Sequence, residues 1–139
     1  MLESQKSPLL TEWMTLQNQC DAFEKLSLGI KLLAVLLASL FSITLTRPEI
    51  ILVLNSILWV QDAVWKTFQS RFSERLLQIE SSLSSSGSDS SIQFNTAWAA
   101  KPRGRVFLVS EYLRHLAKPT VVFPHLVLIL LGAYIVILL

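Results

Sequence analysis

Residues 119–139 read PTVVFPHLVLILLGAYIVILL, a stretch without Asp, Glu, Lys or Arg in which His125 alone can carry a charge near neutral pH. At about 1.5 Å of rise per residue this run makes roughly 30 Å of helix, the thickness of the hydrocarbon core of a bilayer. Two further apolar stretches lie upstream, LSLGIKLLAVLLASLFSITLT at 26–46 and IILVLNSILWVQDAVWKTF at 50–68. Together they predict an all-α integral membrane protein with three transmembrane helices, an antiparallel hairpin plus a C-terminal span, accompanied by amphipathic cytoplasmic helices. Span two is the weakest of the three, because Asn55, Ser56, Gln61 and Asp62 interrupt it. A second helix lying in the interface, with two spans in all, is the alternative.

Composition agrees with a membrane class. The chain is 52% hydrophobic and 16% charged, against roughly 25% charged residues in an ordinary soluble domain. Outside the spans about eighty residues remain, fewer than the roughly 100–150 of a domain with its own core. A separate catalytic domain is therefore not expected. Cys20 is the single cysteine, so no intrachain disulfide can form. The N-terminal MLESQKSPLLTEW lacks the basic-then-apolar layout of a signal peptide, and span one is expected to act as its own insertion signal.

Orientation follows from the short-loop Lys and Arg count. The turn around Arg47-Pro48-Glu49 holds one Arg, whereas Lys66–Lys118 holds Lys66, Arg71, Arg75, Lys101, Arg103, Arg105, Arg114 and Lys118. The expected threading has the N-terminus and the long middle segment cytoplasmic, with the Arg47 turn and the C-terminus external. Four regions result: 1–25, an amphipathic cytoplasmic helix; 26–68, the transmembrane hairpin; 69–118, a helix extension, a Ser-rich linker and a short amphipathic helix; and 119–139, the C-terminal transmembrane helix.

Ser7-Pro8 has the form of an N-cap followed by Pro at the first helical position. From there Leu9, Trp13, Leu16, Cys20 and Phe23 recur at spacings of four, three, four and three, one apolar stripe on a helix. Trp65, Phe68, Phe72, Leu76, Ile79 and Leu83 repeat the pattern past span two, in a helix expected to run unbroken from Ile50 to Leu83. The two stripes are expected to pack on each other within one chain. Trp13, Leu16, Phe68, Phe72, Leu76 and Ile79 are also the candidates for contacts between copies. Ser81–Ser91, with eight serines, reads as a flexible linker or exposed loop. A short helix or turn near Asn95–Ala99 and a helix at about Val106–Ala117, with Val109, Tyr112, Leu113 and Leu116 on one face, lead to Pro119.

A hairpin turning near residues 46–47 sets residue i opposite residue 93 − i or thereabouts, which brings Lys31 to the depth of Asp62. His125, six residues into span three, reaches a similar depth. Charges inside a membrane either pair or line a wet cavity. Lys31, Asp62 and His125 thus form the candidate polar cluster, with helix pinning favoured over a proton or ion path. Lys31 snorkelling to the interface, or Lys66 at i+4 taking Asp62, are the plainer alternatives. Lys101-Pro102-Arg103-Gly104-Arg105 resembles the core of an AT-hook, yet it lacks the closing Pro and lies about fifteen residues from a span. Lys101, Arg103 and Arg105 are therefore expected on lipid headgroups, with no nucleic acid as partner. Cys20 reads as a small apolar residue of the stripe, and His115 with Glu111 as an exposed helix pair. No phosphate loop, metal-ligand spacing or nucleophile motif is present, and neither cofactor nor metal nor enzyme activity is expected.

Trp59, Phe68, Phe72, Arg75, Ile79-Glu80 and Leu83, followed by Phe94 and Trp98, give residues 9–98 a pattern that resembles small bacterial SLATT-type and RipA-type membrane proteins. That resemblance implies a homo-oligomer and, for the SLATT type, a membrane-disrupting effector; the serine run and third span fall outside its two-span plan. The reading is a self-assembling protein of a bacterial inner membrane, acting as a pore or effector. The alternative is a non-catalytic accessory or scaffold subunit of a larger membrane complex, with a holin-like protein a distant third.

Overall fold

The computed structural model describes residues 2–44, 48–84, 92–100 and 104–138. Among these, five helices and no strand occur: α1 (Leu2–Thr44), α2 (Pro48–Ser84), α3 (Phe94–Ala100), α4 (Arg105–Leu116) and α5 (Pro119–Leu138). α1 and α2, at 43 and 37 residues, extend about 65 and 55 Å. Three helices are long and apolar enough to cross a membrane, within Pro8–Thr44, Glu49–Ser84 and Pro119–Leu138. The second belongs to α2 despite its polar interruptions. Asn55 and Asp62 turn inward and are buried, Val53, Ile57 and Val60 face outward, and the Ser56 hydroxyl donates back to the Leu52 carbonyl.

α1 and α2 form an antiparallel hairpin whose register is constant along its length. Trp13 meets Glu80, Cys20 meets Ser73, Glu24 meets Gln69 and Lys31 meets Asp62. Side-chain size divides the seam in two. Toward the turn, buried Ala34, Ala38 and Ala63 bring the backbones close, as small residues do between apolar helices. Toward the open end, Leu9, Leu16, Leu76 and Ile79 form a core with Trp13, Cys20, Phe72, Leu83 and Phe94 packed around it. Phe94 of α3 stacks on Phe72 at 4.9 Å between ring centroids, and the Arg71 guanidinium lies 4.0 Å from the Trp98 ring.

α5 lies antiparallel to α2. The Trp59 indole donates to the Leu116 carbonyl at 3.2 Å, Asn55 meets His125, and Gly132 meets Ile51 and Leu52. A Cβ on Gly132 would stand 2.9 Å from Leu52 Cδ2, so this glycine permits the close approach. α4 folds back over α2 and joins α5 through a tight turn at Ala117-Lys118, closed by Val121 and Val122 N–H groups on the Lys118 carbonyl.

Three expectations are corrected. α1 begins at Leu2 and carries Pro8 inside the helix rather than at its first position. Inside the helix the proline has no N–H to give the Ser4 carbonyl. Span three is not one straight helix: Phe123 adopts φ −86°, ψ 131°, since the Pro124 ring disfavours helical geometry in the residue before it. α2 runs to Leu83, as its apolar stripe required, and one residue past it to Ser84, which the linker had claimed; the Ser81 and Ser82 hydroxyls donate to the Gln78 carbonyl. The rest of that linker, 85–91, lies outside the described residues.

Candidate functional site

The site grows from Asp62, a carboxylate on an otherwise apolar part of α2. Ser27 and Lys31, one turn apart on α1, both face it. The Ser27 hydroxyl donates to Asp62 Oδ1, the Lys31 ammonium donates to Ser27 Oγ at 2.8 Å, and Lys31 Nζ stands 3.1 Å from Asp62 Oδ2. From α5, His125 Nε2 comes to 3.8 Å from the same Oδ2. The structure thus brings together all three residues that the sequence singled out. Asp62 and His125 are fully buried, while the Lys31 side chain retains 19% exposure.

Two members were not anticipated. Asn55 lies two turns before Asp62 on α2, so both fall on one face. Its amide reads His125 twice, Nδ2 donating to the His125 carbonyl at 2.7 Å and Oδ1 standing 2.9 Å from His125 Nδ1. Ser27 lies one turn before Lys31. Periodicity could have found both, since each polar residue shares a face with a charge, but a serine in a helix usually returns its hydroxyl to its own backbone. Lys66, the alternative partner for Asp62, instead donates to Gln69 Oε1 at 2.7 Å.

The Asn55 contacts fix the histidine's protons. A carbonyl only accepts, so Nδ2 must face the His125 oxygen and Oδ1 must face the ring. Nδ1 therefore carries hydrogen. In a neutral ring, Nε2 then aims a lone pair at the Asp62 carboxylate; protonated, it aims a positive N–H. Neither Nε2 nor Asp62 Oδ2 has a hydrogen-bond partner, and 3.8 Å is beyond hydrogen-bond reach. The cluster is neutral with a neutral imidazole and gains one positive charge when a proton is taken up beside Asp62.

Outside the apolar halves, a second polar junction closes the hairpin's open end. Glu12 accepts from Arg75 Nε at 3.0 Å and Nη2 at 3.3 Å, and from the backbone N–H of Ile92 at 2.7 Å. Burial alone would raise the Glu12 carboxyl, but the Arg75 and Ile92 hydrogen bonds and the guanidinium charge hold it below its ordinary value. Ile92 takes a left-handed φ of 64°, unusual for a β-branched residue. His115, expected at the surface, is instead buried against α2. Its Nδ1 stands 2.9 Å from the Glu111 carbonyl and 3.2 Å from Thr67 Oγ1. Burial, with the charges of Lys118 and Arg114, holds its pKa below the ordinary value.

The six residues offered for contacts between copies are engaged within one chain. Leu16, Leu76 and Ile79 are buried, Trp13 and Phe72 pack on them, and Phe68 lies beside Trp65 with the Arg71 guanidinium 4.8 Å from its ring. The hairpin's two stripes satisfy each other, with Phe94 completing the core. Lys101 and Arg103 lie outside the described residues, as does the Arg105 side chain. Compared with protein-family models, curated proteins and solved structures, the chain finds no match.

Proposed function

We propose that this chain is a non-catalytic integral membrane protein serving as an accessory or scaffold subunit of a larger complex. In this reading three spans cross a bacterial inner membrane, the N-terminus and residues 69–118 are cytoplasmic, and α5 ends outside. The observation that carries it is the burial of the polar residues that join the three helices in the apolar halves, with Lys31 alone of that cluster partly exposed. Ser27, Asn55, Asp62 and His125 are buried between α1, α2 and α5, while Leu32, Leu36 and Leu40, Val53, Ile57 and Val60, and Val127, Leu130 and Leu131 face outward. Such a surface suits lipid or other apolar helices, and the polar residues pin the three helices together. Orientation is supported by Lys66, Arg71, Arg75, Arg114 and Lys118, which gather at one end of the bundle.

The second reading, a self-assembling pore or membrane effector, has one observation in its favour. Lys31 is the member of the cluster that reaches the outer surface, where a neighbouring copy could meet it. Homo-oligomers are also what the likeness to SLATT-type and RipA-type proteins implies. Native mass of the gently extracted protein, combined with ion flux in liposomes, separates the two. A stoichiometric complex with a different protein and no conductance supports the accessory role. A conducting ring of several copies, silenced by Lys31→Leu, replaces it with the pore.

A further inference from the structure

α4 and α2 enclose an open groove of about 910 Å³ whose charges are sorted along its length. Lys66, Arg114 and Lys118 line the end next to Pro119, and Glu74 and Glu111 lie farther along both helices. Among the described residues, Arg114 and Lys118 have neither an ion pair nor a side-chain hydrogen bond, and Lys66 donates only to the neutral Gln69. Three cations thus converge with no carboxylate opposite them. Burial, then the positive charges of Arg114 and Lys66, push the Lys118 ammonium below its ordinary value. A fold that holds like charges together lacks a counter-anion, and the basic end has room for one beside the Ser70 and Thr120 hydroxyls.

We propose that Lys66, Arg114 and Lys118 form a phosphate-binding site, occupied by the phosphodiester of a phospholipid headgroup. The position argues for this occupant. Lys118 immediately precedes the first residue of α5, and Lys66 lies one turn beyond Asp62 on α2, so the site falls at the end of two apolar spans, where headgroup phosphates lie. An ammonium gives a point charge and a guanidinium a flat fork, and both suit phosphate oxygens. The site is composed of residues other than Lys101, Arg103 and Arg105. Its assignment to lipid rests on the membrane reading above; its preference for phosphate does not.

The test uses the full chain in two settings. Native mass spectrometry of protein released from nanodiscs counts retained phospholipid, and phosphorus NMR of lipid-free protein in a non-ionic detergent measures binding of inorganic phosphate. Neutralising Lys66, Arg114 and Lys118 to Gln should weaken retention by on the order of a hundredfold, about fivefold for each charge removed. Arg114→Glu, at an exposed position, gives a single-site check should the triple variant misfold. Lys25→Gln, on the exposed side of α1, should change nothing. Lipid lost from the variants identifies a headgroup site. Phosphate lost from the variants with lipid unaffected identifies a site for free phosphate and overturns the lipid assignment. Equal binding by variants and wild type in both settings overturns the site. Resistance of the wild type to alkaline extraction is scored separately, so failure of the membrane reading stays distinct from failure of the groove.

Discussion

Asn55 grips His125 at two points, its amide hydrogen on the backbone carbonyl and its amide oxygen on the ring nitrogen. One side chain thereby docks α5 on α2 and selects which imidazole nitrogen carries hydrogen. The free nitrogen is left facing Asp62. Helix packing and the protonation chemistry of the cluster are set by the same contact.

Asn55→Leu should therefore loosen α5 while leaving the α1–α2 hairpin intact. The expected loss is about 1–3 kcal/mol, the cost of leaving buried polar groups without partners. Thermal unfolding in detergent measures the loss, and nitrogen chemical shifts of His125 report the tautomer. A wild-type ring protonated only on Nε2 would contradict the geometry.

Lys31 and Asp62 should be energetically coupled. Lys31→Met and Asp62→Asn each strip a buried charge or its partner, and a double-mutant cycle should return a coupling of about 0.5–3 kcal/mol. Additive effects would show that Lys31 reaches past Asp62 to the surface.

The Glu12 carboxyl, held below its ordinary value of 4.5, binds fewer protons in the folded than in the unfolded chain. Its contribution is complete above that value and is lost as pH falls through the lower folded value. Acid unfolding followed by circular dichroism should show this loss, and Glu12→Gln should flatten it. An unchanged acid limb in the variant would remove Glu12 from the account.

His115 has the opposite chemistry but the same sign. With a folded pKa below its ordinary 6.5, the folded chain resists protonation that the unfolded chain accepts, so stability declines as pH drops below that value. His115→Gln should abolish the decline that begins as pH falls below about 6.5, a window that opens above that of Glu12. A profile identical to wild type would show that the ring is solvated.

Much of the hairpin was legible because two facts constrain it strongly. A short turn fixes the register, and apolar stripes at alternating three- and four-residue spacing fix the facing sides. Lys31 opposite Asp62 follows from those alone. Pro8 misled because a proline states which bond is missing without stating whether the helix continues, and the effect of Pro124 on span three went unread. At Pro8 it continues; at Phe123 it breaks. His115 looked exposed beside Glu111, because α4's fold over α2 is a tertiary event to which local spacing is blind. Ser27 was hidden by its ordinariness.

The constant register of α1 against α2 also has a consequence for the order in which the chain is made. Ser27, Lys31 and Asp62 all belong to the first two helices, so they can neutralise one another while α5 is still unsynthesised. The nascent hairpin needs no later segment to shield its charge. When α5 emerges, its polar groups meet Asn55 and a carboxylate that already has a partner. Biogenesis can thus proceed as two docking events, a hairpin whose charges are already paired, followed by a latecomer that supplies the partners of Asn55.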